Sequence, residues 1–243
     1  MKIALAASPV KNKDISYNLR SMENAISQAS GSADLILFGE AFLQGFDALC
    51  WDYAADKAVA CSLSSPEILR IRKAAKENQI AVSFGFIERD DDILYSSQLF
   101  IGADGNPINL FRRVSKGWKE YSKTDNHYRE GPHFSSFRYA GKTFATGLCG
   151  DLWTQGRPEE MKALDADIVL WPVWCDYAPE EWNREIKLEY AAQAALCGKD
   201  VLLVNPYCVD PNYAAGGCAH FSGGAIQAEF SSGSPGMLLV NIP

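Results

Sequence analysis

Histidine is scarce in this chain, with 3 residues in 243, so any chemistry that needs an imidazole must draw on His127, His133 or His220. Paired cysteine spacing is missing too. The seven cysteines, Cys50, Cys61, Cys149, Cys175, Cys197, Cys208 and Cys218, are odd in number and contain no Cys-x-x-Cys pair. Neither a disulfide framework nor a zinc site is signalled, and a reducing cytoplasm fits that usage. There is no basic run: 23 Lys plus Arg stand against 30 Asp plus Glu, for a formal charge of −7. Broad electrostatic binding to nucleic acid or to an anionic membrane is thereby excluded, since both need a basic footprint. Long apolar runs are also lacking. The N-terminal stretch closes at Pro9 and then meets charges, far short of the roughly 20 residues a membrane helix needs and a poor secretory signal. It reads as a first buried strand.

What is present is an α/β alternation in a chain that is 47% hydrophobic. Ile3 to Val10 is strand-like, and Asp14 or Ser16 caps a helix whose Ile15, Leu19, Met22 and Ile26 share one face. A strand at Ala33 to Phe38, a helix opened by Ser65-Pro66 with Ile68, Leu69 and Ile71, and a strand at Ile80 to Ile87 follow. Leu94 to Ile101 and Ile108 to Ser115 read as a hairpin around Ala103-Asp104-Gly105-Asn106-Pro107. The second half repeats the alternation: strand Thr143 to Leu148, helix Pro158 to Leu164, strand Ile168 to Val173, helix Pro179 to Cys197 and strand Val201 to Val204. In the long helix Trp182, Ile186 and Tyr190 form an apolar stripe, and Gly198 is placed to cap its end. Gly223 to Gln227 and Met237 to Ile242 read as two short strands. No linker or repeat interrupts the pattern, so residues 1–243 are read as one α/β domain with a mixed sheet.

In α/β folds, ligands bind outside the carboxyl ends of strands. Two apolar strands here run straight into reactive groups: Leu35-Ile36-Leu37-Phe38-Gly39-Glu40 into a carboxylate, and Phe144 to Asp151 into the Cys149 thiol. Either residue alone could be structural, Glu40 as a surface carboxylate and Cys149 as a small buried apolar residue. Together they describe a base and a nucleophile. An oxyanion formed by thiol attack needs a fixed cation, and Phe111-Arg112-Arg113-Val114-Ser115-Lys116 delivers cations at the end of the hairpin. A Cys-His hydrolase using His127 or His133 stays open as another arrangement, without a supporting motif.

With these residues in hand, the chain resembles the nitrilase superfamily of carbon-nitrogen hydrolases along nearly its whole length. Phe38-Gly39-Glu40-Ala41-Phe42-Leu43-Gln44-Gly45-Phe46 resembles the family's glutamate motif, Asp104-Gly105 with Phe111-Arg112-Arg113 its lysine motif, and Cys149-Gly150-Asp151 its cysteine motif. Asp165 to Pro172 resembles the strand that follows the nucleophile. The resemblance implies a four-layer α-β-β-α sandwich with mixed sheets, hydrolysis of a small amide or carbamoyl substrate through a cysteine thioester, no metal or organic cofactor, and a homodimer or larger assembly. Asp151 points to the amidase and carbamoylase branches. The chain ends soon after the last family strand, so a C-terminal extension is expected to be short or absent.

One position departs from the pattern. The family lysine falls on Arg113, a guanidinium with too high a pKa to shuttle protons, and Lys116 or Lys119 could supply an ammonium instead. An accessory family carboxylate falls near Asp125, with Glu120 as the alternative. Trp171, Trp174, Tyr177 and Trp182 could line a pocket or fill the core. The missing lysine also motivates a different class of function, a catalytically silent scaffold that keeps the fold.

Overall fold

The computed structural model describes residues 1–243. In chain order its elements are β1 (Lys2–Ala7), β2 (Pro9–Val10), α1 (Ile15–Ala29), β3 (Leu35–Leu37), α2 (Tyr53–Val59), α3 (Pro66–Asn78), β4 (Ala81–Asp90), β5 (Ile93–Ile101) and β6 (Pro107–Arg112). The second half comprises β7 (Ser136–Tyr139), β8 (Lys142–Thr146), α4 (Arg157–Ala163), β9 (Ile168–Pro172), α5 (Pro179–Glu181), α6 (Lys187–Ala194), β10 (Asp200–Val204), β11 (Tyr207–Cys208), β12 (Cys218–Ser222), β13 (Ala225–Phe230) and β14 (Gly236–Asn241). No helix is long and apolar enough to cross a membrane.

Two six-stranded sheets result, ordered β14-β1-β3-β4-β5-β6 and β13-β12-β10-β9-β8-β7, with β2 and β11 as a separate parallel pair. Each has three parallel strands at its centre, β1, β3 and β4 in one and β8, β9 and β10 in the other, flanked by antiparallel neighbours. The continuous apolar runs follow from burial on both faces. Along β3, Leu35 and Leu37 point between the sheets while Ile36 and Phe38 meet α1 and α3. Along β9, Ile168 and Leu170 share the layer between the sheets, and Val169 and Trp171 face the α6 side. Sheets back to back, helices outside: this is the four-layer α-β-β-α sandwich that the resemblance implies. Each fully buried Leu, Ile or Phe in it contributes about 1.5–3 kcal/mol.

Local signals place the first helices. Asp14 accepts from the Tyr17 N–H at 2.9 Å and caps α1, whose Leu19, Met22 and Ile26 are buried. In α3, Ile68 and Ile71 are buried but Leu69 is exposed, because one residue from Ile68 is 100° around the helix. The expected hairpin forms as β5 and β6, and β4 pairs with β5 from Val82 to Asp90, so the three strands make a meander. Two further expectations need correction. The long helix holds a π-turn at Trp182–Ile186 between α5 and α6, which leaves Trp182 and Tyr190 buried and Ile186 only half-buried. Gly198 does not adopt a left-handed cap; a Cβ there would stand 2.7 Å from Val169 Cγ2, so close packing on β9 excludes a side chain.

Candidate active site

Three strand ends converge. β3 continues through Phe38 and Gly39 into Glu40, which is wholly buried. Its backbone passes across β4 at Gly85, where a Cβ would lie 2.4 Å from Ala41 N and 2.7 Å from Glu40 Cα. No other residue fits under that turn. Ala41 then takes a left-handed φ of 49°, which swings the chain out of the sheet.

The cation arrives by strand parity. Arg112 and Arg113 are consecutive at the end of β6, so they point to opposite faces. Arg112 turns outward onto Glu88, Asp90 and the Tyr95 ring. Arg113 turns inward, 5% exposed, and donates from Nη1 to Glu40 Oε1 at 2.8 Å and from Nε to Ser115 Oγ at 3.0 Å. Ser96 Oγ also donates to Glu40 Oε1, at 3.1 Å, while Oε2 is buried with no partner. Burial works against the Arg113 charge, but Glu40, Cys149 and Asp151 together hold its pKa above the usual arginine value. It stays a fixed cation.

Cys149 follows β8 and sits at φ 42°, a left-handed conformation that costs a non-glycine residue about 1–2 kcal/mol. Around it the Trp171 indole donates to the Cys149 carbonyl at 2.9 Å, and the thiol lies 3.7 Å from the Trp174 carbonyl. A hydrogen bond with the neighbouring Cys175 thiol, burial and the Glu40 carboxylate raise the Cys149 pKa, with Arg113 acting the other way. The thiol is therefore protonated at rest. Asp151 ties the Cys149 turn to the strand that leads into Arg113. Its Oδ1 accepts from Val114 N–H at 3.1 Å and Ser115 N–H at 2.7 Å, and its Oδ2 accepts from Leu148 N–H at 2.8 Å. Burial pushes the Asp151 pKa up to about 6, against Ser115, Arg113 and the backbone donors.

Of the four residues singled out in the sequence, Glu40, Arg113 and Cys149 are brought together and Lys116 is not. Lys116 is exposed, its ammonium 5.6 Å over the Tyr121 ring. Lys119 donates to the Tyr128 carbonyl and to Glu130. Both lie past the strand end, where the chain has left the sheet. Asp125 and Glu120 are exposed, Asp125 pairing with His127, and the half-buried carboxylate of this loop is Glu130. The histidine arrangement also falls: His127 stacks on Tyr53, His133 is exposed, His220 bonds Asp200, and none contacts Cys149. Trp171, Trp174 and Trp182 are buried packing, and of the four only Tyr177 is exposed. Sequence reasoning missed Ser96 and Ser115. Ser115 had a findable signal, lying two residues after Arg113; Ser96 had none.

A back-to-back double sheet thus presents carboxylate, guanidinium and thiol at adjoining strand ends, the frame of a carbon-nitrogen hydrolase. The chain belongs to the carbon-nitrogen hydrolase family, which it matches over residues 2–217. Among proteins, it is similar to an (R)-stereoselective amidase of a Pseudomonas species, 26% identical over 170 residues, 70% of this chain and 59% of that one. It is also similar to the N-carbamoylputrescine amidase of Oryza sativa subsp. japonica, 25% identical over 193 residues, 76% of this chain and 62% of that one. The matched region thus spans about 60% of the length of these relatives. Among solved structures, an amidase from Nesterenkonia sp. AN1 superposes with TM-score 0.76 at 18% identity, over 100% of this chain and 93% of that one. A CN-hydrolase superfamily protein from Xanthomonas campestris gives 0.81 at 19%, over 100% and 90%. These two likenesses show the fold.

Proposed function

We propose that this protein hydrolyses the carbon-nitrogen bond of a small amide or carbamoyl compound through a thioester on Cys149. The observation that carries the reading is the buried contact of Glu40 with Arg113, with Glu40 Oε2 left without a partner beside the turn that holds the thiol. Glu40 takes the thiol proton, and the sulfur attacks the carbonyl carbon. Arg113 and the Gly150 N–H stabilise the oxyanion. As the intermediate collapses, the C–N bond breaks and Glu40 returns the proton to the leaving nitrogen. Water, deprotonated by Glu40, then cleaves the thioester, releasing the acid and restoring the thiol. Arginine serves because the cation's task here is electrostatic: Glu40 alone moves protons.

Amide and carbamoyl substrates are preferred in this reading on the ground of Asp151 two residues after the nucleophile; the relatives include amidases and nitrile-active enzymes alike. Action in the cytoplasm as a homodimer or larger assembly completes the reading, supported by the thiol-rich composition and by exposed Leu188 and Leu196 on and after the outer helix. A panel of short primary amides, N-carbamoyl amino acids and nitriles, read by ammonia release beside Cys149→Ala, tests the function. Turnover of an amide or carbamoyl compound by the native protein and none by the variant is expected. No turnover of any compound would favour the silent scaffold, and undiminished turnover by the variant would sink the thioester.

A further inference from the structure

Two donors next to the Cys149 turn have no acceptor within the protein. Arg113 uses Nε on Ser115 and Nη1 on Glu40, which leaves Nη2 unpartnered on a side chain that is 5% exposed. The Gly150 N–H makes no backbone hydrogen bond either. These two groups are neighbours. A Cβ on Gly150 would stand 2.7 Å from Arg113 Nη2, and one on Gly117 would stand 3.8 Å from the same nitrogen. The guanidinium end thus lies in a slot between two glycines. It cannot swing aside, because Ser115 and Glu40 hold it at two other nitrogens.

We propose that Gly150 is a positioning residue that fits this site to arginine: lacking a side chain, it lets Arg113 Nη2 lie beside the Gly150 N–H, and the pair forms a forked donor for the substrate's carbonyl oxygen. The inference rests on the functional reading above. A lysine ends in a single nitrogen and places no atom where Nη2 lies, so a side chain at position 150 conflicts with arginine alone. Arginine and glycine are therefore one unit, and the substitution of either changes what the other can do.

A double-mutant cycle tests this with Arg113→Lys, Gly150→Ala and the combined variant, measured on the amide or carbamoyl compound that the native protein hydrolyses fastest. Gly150→Ala alone is expected to lower kcat by about 100-fold with KM little changed, as loss of an oxyanion donor does. Added to Arg113→Lys, it is expected to cost less than about threefold, well outside the additivity of independent sites. Losses that multiply, or a Gly150→Ala protein as fast as the native one, would overturn the proposal while leaving the hydrolase reading intact. A native protein without turnover would overturn both. Should Gly150→Ala fail to fold, Arg113→Ala decides the matter: methylguanidinium at sub-denaturing concentration is expected to restore turnover when residue 150 is glycine, and absence of rescue would refute the fork.

Discussion

Replacing Asp151 by Asn separates what this carboxylate does for the site from what it costs the fold. In the native protein it accepts three backbone N–H groups from two segments, Val114 and Ser115 after the cation strand and Leu148 before the nucleophile. Asparagine has one oxygen. If that oxygen keeps Val114 and Ser115, the amide NH2 faces the Leu148 N–H, donor against donor, and each buried unsatisfied group costs about 1–3 kcal/mol. Against this stands the charge. Asp151 is held at about 6 instead of its ordinary 3.8, so its ionisation in the folded state costs about 3 kcal/mol at neutral pH. Between roughly pH 4 and 6 the folded protein binds a proton that the unfolded chain has lost, so this group's contribution to stability falls as pH rises through that window. The two effects nearly offset, and Asp151→Asn is expected to unfold in denaturant within about 2 kcal/mol of the native protein at pH 7. Activity is not spared. The Leu148 bond anchors the residue before the left-handed Cys149, and its loss frees a strained turn. A drop in kcat of about 10–100-fold is expected, corresponding to 1.4–2.8 kcal/mol. Native kcat should also fall as pH drops through about 6, because protonated Asp151 likewise sets a donor against a backbone N–H, and Asp151→Asn should lack that acid limb. Native-like kcat together with an unchanged pH profile in Asp151→Asn would refute this role.

Three further outcomes are expected. Glu40→Gln should lower kcat by about 100- to 10,000-fold, as loss of a general base does, without releasing Arg113 from a buried oxygen; a tenfold effect or less would assign the base elsewhere. In a Cys50→Ser background, which removes the exposed thiol, iodoacetamide should label the half-buried Cys149, whose proton Glu40 can take, well ahead of the fully buried Cys61, Cys197 and Cys218; uniform slow labelling would contradict an accessible nucleophile. Leu170→Ala, in the layer between the sheets, should cost about 2–5 kcal/mol in denaturant unfolding while leaving KM unaltered; a loss below 1 kcal/mol would contradict a close-packed double sheet.

The central strands were legible because burial on both faces makes them continuous apolar runs, and strand ends pointed to Glu40 and Cys149 without any further signal. The edges were not. β7 reads Ser-Phe-Arg-Tyr, half-exposed and too short to stand out from loop sequence, and α2 is a seven-residue helix whose only buried residue is Asp56. The β4 to β5 turn carries no signal of its own, because Asp90, Asp91 and Asp92 look like solvated loop; Asp91 turns the chain at φ 51°. The identity of the cation stayed open for a related reason. Arg113, Lys116 and Lys119 are chemically similar in sequence, and only the strand's alternation and its end at Arg112 select the one that faces Glu40. Ser96 reaches Glu40 across a sheet register that no local pattern encodes.

The account turns on whether Cys149 carries the acyl group. Mixing the native protein with the fastest substrate from the amide and carbamoyl panel, quenching in acid within one turnover and weighing the intact protein measures this directly. An increase equal to the acyl fragment, mapped to the peptide containing Cys149 and absent in Cys149→Ala, is the predicted result. Continued ammonia release by Cys149→Ala, with no adduct on the native protein, would contradict it.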